Sequence, residues 1–121
     1  MLGKLVIIFV VVTFLQEPVS AKRVPPKPVT PVVAEGVEYS ADGDGRNAYV
    51  VATATATGEE IWKVRVFHTR IKPWLEEDVQ WVYITHLTIG DKALLVRDEK
   101  ARCYTIGLRK HNVKKLGDCK K

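Results

Sequence analysis

Between Gly36 and Leu108 the chain is a succession of short runs in which apolar and polar residues alternate, rich in Val, Ile, Thr, Tyr and Trp. Gly, Asp, Asn and Pro separate the runs. A period of two with β-branched and aromatic residues marks half-buried strands, because successive side chains point to opposite faces of a sheet. The pattern predicts six strands, near Val37 to Ala41, Ala48 to Ala54, Glu60 to Ile71, Val79 to Ile89, Ala93 to Arg97 and Arg102 to Leu108. Thr57-Gly58 and Gly90-Asp91 offer the positive φ that hairpin turns need, and Asp98 to Ala101 fits a four-residue turn. No segment of this region has the period of a helix. The expected fold class is all-β: a six-stranded antiparallel meander, built as a blade-like sheet, a small sandwich or an open barrel.

The two longest runs flank Lys72 to Asp78 and read as a hairpin with Ile71 opposite Val79. Alternation then places Trp62, Val64, Val66 and His68 beside Gln80, Val82, Ile84 and His86 on one face. The other face carries Ile61, Lys63, Arg65, Phe67, Thr69 and Ile71 beside Val79, Trp81, Tyr83, Thr85, Leu87 and Ile89. Both faces are substantially apolar, whereas an antiparallel sheet in a small protein usually keeps one face wet. Such a hairpin must be covered twice, by a second sheet, a curled barrel or another protein. Trp62, Phe67, Trp74, Trp81 and Tyr83 are therefore the candidate interface residues, for self-association or for an envelope protein.

The ends of the chain have a different character. Lys4, the apolar run Leu5 to Leu15, the break at Gln16-Glu17-Pro18 and the small residues Val19-Ser20-Ala21 make residues 1 to 21 a cleavable signal peptide. The run is about half the roughly 20 apolar residues that a span of the hydrocarbon core requires, so no transmembrane span is expected and the mature chain should be soluble, secreted or periplasmic. Residues 22 to 35 form a basic arm with four prolines between Val24 and Pro31, extended and spacer-like. The β domain follows at 36 to 109, then a basic tail at 110 to 121. The formal charge of +5 is concentrated at these ends, in Lys22, Arg23 and Lys27 and in Arg109, Lys110, Lys114, Lys115, Lys120 and Lys121. Such ends can attract anionic polymers or lipid headgroups. Nucleic acid fits poorly with export.

Candidate chemistry adds little to this picture. Cys103 and Cys119 would meet an oxidising compartment; either they pair, or Cys103 is a buried thiol in a strand and Cys119 a loose tail thiol. His68 and His86 are about 13 Å apart in the assumed register, too far for one zinc ion, although a two-residue shift of each strand would bring them opposite. His111 falls in the tail and is expected to be solvated. Asp42 to Asn47 is the most flexible loop, and with Arg46 fifth and Asn47 sixth it departs from a calcium loop. Glu76-Glu77-Asp78 reads as a solvated turn rather than an acid/base pair. Ser40, the only serine after residue 21, lacks a GxSxG context. No enzyme, cofactor or metal is expected.

Thr57-Gly58-Glu59-Glu60-Ile61-Trp62 resembles the T-G-x-x-x-W turn and strand of quinoprotein (PQQ-like) β-propeller repeats, with Ala52 and Ala54 where those repeats have A-x-D. Leu94 to Tyr104 is similar to the strand, acidic turn and strand with Tyr of the same repeat, with Ala101 in place of the usual Gly. A propeller needs at least four blades of about 40 residues, so the resemblance implies a blade-like unit and no ring. The stretches YVVATATATGEEIWKVRVF and EEDVQWVYITHL also resemble small uncharacterised secreted bacterial proteins, which implies no activity and no cofactor. The functional expectation is a small non-catalytic β-rich interaction module of the bacterial envelope; the alternative is a binder of anionic glycan or lipid surfaces through the basic ends, with an enzyme third.

Overall fold

The computed structural model describes residues 26–119; the expected signal peptide, residues 22–25 of the arm and Lys120-Lys121 lie outside the described residues. The described residues are all-β, with eight strands where six were expected: β1 (Val32–Ala34), β2 (Val37–Gly43), β3 (Asn47–Ala54), β4 (Glu60–His68), β5 (Ile84–Ile89), β6 (Ala93–Asp98), β7 (Arg102–Gly107) and β8 (Val113–Asp118). They form two four-stranded antiparallel sheets, each a meander in sequence order, β1-β2-β3-β4 and β5-β6-β7-β8. One 3-10 turn, Asp78–Gln80, lies between them. No helix among the described residues is long and apolar enough to cross a membrane.

The two additional strands fall in the expected arm and tail. β1 turns into β2 through Glu35 and Gly36, both at positive φ, as a two-residue hairpin requires. β8 pairs along β7, from Arg102 opposite Asp118 to Ile106 opposite Val113. The remaining described part of the arm is not a free spacer, because Val29 packs against the core. Of the two expected Gly turns, Gly58 uses its freedom, at φ 78°, whereas Gly90 has no positive φ and closes its hairpin by donating to the Ala93 carbonyl.

The expected long hairpin does not form. β4 ends at His68 and pairs with β3, β5 begins at Ile84 and pairs with β6, and residues 69–83 connect the sheets. Two irregularities explain why the sequence pattern looked apolar on both faces. Ala48 is opposite Phe67 while Tyr49 is opposite Arg65, so Val66 is an extra residue; Ile84 is opposite Asp98 while His86 is opposite Arg97, so Thr85 is another. A bulge of one residue reverses which face the following side chains take. Val66 and Phe67 therefore both reach the core side, as do Ile84 and Leu87. The second sheet covers the first, and one core joins them: Tyr39, Val50, Ala52 and Val66 from one layer meet Ile84, Leu94, Val96, Tyr104 and Ile106 from the other.

Candidate functional site

The connection between the sheets is held against the β2–β3 turn. Asp44 builds that turn by accepting hydrogen bonds at Oδ1 from the backbone N–H groups of Arg46 and Asn47, at 2.9 and 2.8 Å, and these donors keep its carboxyl below the usual range. The region read as the most flexible loop is thus an anchor. Thr69 N–H donates to the Arg46 carbonyl at 2.7 Å and Val82 N–H to the Gly45 carbonyl at 3.1 Å, so both ends of the connection are tied to one turn. Gly45 sits at φ 91° with its α-carbon against the Trp81 ring, where any Cβ would overlap the indole. Arg46 grips Glu77 with two guanidinium nitrogens, Nε to Oε2 and an outer nitrogen to Oε1. Trp81 Nε1 donates to the same carboxylate at 3.1 Å. The Arg46 hydrogen bonds and then that of Trp81 pull the Glu77 carboxyl down to about 2.

Gln80 organises the rest of the connection. Its Oε1 accepts from Lys72 N–H at 2.8 Å, and its Nε2 lies within hydrogen-bond distance of the Lys72, Leu75 and Glu76 carbonyls. One carboxamide thus replaces the strand pairing that this segment lacks. The loop it fixes carries Trp74, Leu75 and Val79 at 75%, 50% and 58% exposure. Isolated exposed apolar residues are ordinary on a surface; three on one internally bonded loop form a presented tip.

The five candidate interface residues do not gather into one patch. Trp62 lies between the layers, stacked on His111 with ring centroids 4.4 Å apart, and Phe67 stacks on Tyr104 at 5.2 Å. His111 is therefore packed rather than solvated. Trp81 is half-buried on Gly45, and the backbone N–H of Tyr83 donates to Glu99 Oε1 at 3.0 Å. Only Trp74 of the five is freely presented. His68 and His86 belong to different sheets, so the register that separated them does not exist; His68 Nδ1 lies 2.9 Å from Asn47 Oδ1 and His86 Nδ1 2.9 Å from Thr85 Oγ1. Among the described residues no group of three His, Cys, Asp or Glu side chains could hold a metal ion. Cys103 and Cys119 form a disulfide with Cα atoms 5.5 Å apart.

Sequence reasoning missed two features. Asp98, at 1% exposure, accepts at Oδ1 from the Lys100 and Arg102 N–H groups and at Oδ2 from Arg102 Nε and the Tyr104 hydroxyl. Burial, with the Asp98 charge adding to it, pushes the Tyr104 phenol up to about 12. The acidic turn residue read as a hairpin feature is thus also the polar centre of the second sheet. The other feature is a cleft of about 500 Å³ where β4 and its extension part from β7 and β8, lined by Phe67, Tyr104 and several cationic side chains. Lys115, opposite Tyr104 in the ladder, was visible only as part of a basic tail.

No protein-family model matches the chain, and no curated protein matches it.

Proposed function

We propose that the protein is a non-catalytic interaction module of the bacterial envelope that docks a protein partner on the loop between its two sheets. The observation that carries this reading is the exposure of Trp74, 75%, on a loop held by Gln80 and by the Arg46–Glu77 pair. A large aromatic side chain on a pre-organised loop offers much apolar area to a partner at little ordering cost, which is the character of an interface anchor. Glu77 and His68 contact Arg46 and Asn47, which ties both residues into the scaffold that presents the loop. The envelope location rests on the leader-like residues 1 to 21 and the resemblance to small secreted bacterial proteins.

A photo-crosslinker placed at position 74 in the native host tests the reading, with position 95 on an outer strand face as the control. A defined adduct from 74 and none from 95 is expected, and Trp74→Ala should weaken the identified partner by about 2 kcal/mol without changing thermal stability. Equal labelling from both positions, or an unchanged affinity, would remove the loop from consideration. An adduct with a second copy of the chain would make the partner the protein itself.

The basic ends support a second reading, capture of an anionic glycan or lipid surface, because β8 exposes Lys114 and the preceding loop exposes Arg109 and Lys110. Salt separates the two: charge-driven binding weakens steeply with ionic strength and apolar docking does not.

A further inference from the structure

We infer that the cleft at the open edge of the two layers binds a small phosphate ester through Arg70, Lys100, Arg102 and Lys115. These cations reach one space of about 500 Å³ from three places: Arg70 beyond the end of β4, Lys100 and Arg102 at the β6–β7 turn, and Lys115 on β8. No Asp or Glu is among the described residues that line it. Assembling like charges without counter-charges is unfavourable, and the Arg70, Lys100 and Lys115 side chains make no ion pair with another described residue. Arg102 is held by Asp98 at 2.9 Å, which fixes its position in the cleft wall.

A lysine facing inward from an edge strand can serve simply to block pairing with another sheet. That accounts for Lys115 alone and leaves the cations of the other two elements unexplained. An independent observation concerns Thr69, which lines the same cleft and a neighbouring hollow: its Oγ1 is buried with no hydrogen-bond partner among the described residues. A buried hydroxyl without a partner is costly, and a rotation of the Thr69 side chain toward the cleft would let a ligand oxygen remove the cost. Several cations and a hydroxyl donor suit a multiply charged oxyanion better than a single carboxylate. Val66 and the stacked Phe67 and Tyr104 rings add apolar surface to the lining, and the space exceeds a bare ion. An ester with a compact carbon body fills both parts.

The inference is independent of the loop reading, and Trp74→Ala should leave it untouched. Titration of the purified protein with phenyl phosphate, inorganic phosphate and benzoate, followed by amide NMR shifts, tests it. Saturable shifts are expected at Thr69, Lys100, Arg102 and Lys115, with phenyl phosphate binding tighter than inorganic phosphate and about tenfold tighter than benzoate. Lys100→Glu and Lys115→Glu, both at exposed positions, should each weaken phenyl phosphate about tenfold; Thr69→Val should weaken it while leaving the melting temperature unchanged or raised. No saturation by about 10 mM phenyl phosphate, shifts confined to Arg109, Lys110 and Lys114, or benzoate binding equally well would each overturn the assignment.

Discussion

Ala101 occupies the place where the repeat that this turn resembles carries Gly, and it pays for the difference in backbone conformation. Its φ is 60°, a left-handed geometry that an L side chain enters at a cost of about 1 kcal/mol. The neighbouring Asp98 holds the turn regardless, since its carboxylate accepts from the N–H groups of Lys100 and Arg102 on either side of Ala101. Ala101→Gly is therefore expected to raise stability by up to about 1 kcal/mol, read as a higher urea midpoint; a lower midpoint would show that the methyl group contributes packing that outweighs the strain. The turn was legible from Asp98 to Ala101 in the sequence. The burial of Asp98 was not, because its partners Arg102 and Tyr104 become neighbours only once β6 and β7 are paired.

At the level of elements, alternation identified the six central strands but not how two of them pair. Val66 and Thr85 are extra residues, and a single such residue inverts every face assignment that follows it. β1 was hidden by the prolines before it, and β8, whose sequence VKKLGD is exposed on most of its length, lacks an apolar stripe. The connection 69–83 was read as strand and solvated turn because its stabilising pair, Arg46 with Glu77, spans 31 residues. That pair has a pH signature. The Glu77 carboxyl falls from its ordinary 4.5 to about 2 in the fold, so the unfolded chain takes up the proton at the higher pH. Its stabilising contribution is complete above 4.5 and is lost as pH falls toward 2. The difference in urea midpoint between the wild type and Glu77→Gln should be open at neutral pH and close across that interval; a difference constant across it would mean that the charge of Glu77 does not act through Arg46.

For the whole molecule, the disulfide ties the last strand to its sheet, joining Cys103 in β7 to Cys119 just after β8 across 16 residues. A loop of that length is worth about 3 kcal/mol in the chain-entropy model, so reduction, or replacement of both cysteines by Ser, should lower the unfolding free energy by that order. Unchanged stability on reduction would assign β8 to its hydrogen bonds alone. The sequence-order meander of each sheet has a separate consequence for how the chain finds its fold. Each ladder joins only consecutive strands, so the segment to be closed is short, and closure entropy grows only with the logarithm of length. Mostly-β chains are usually slow because their pairings are remote. Here zippering can run hairpin by hairpin from either end, leaving a single distant search, the docking of two finished sheets through the Asp44–Asn47 turn, as the step that sets the pace.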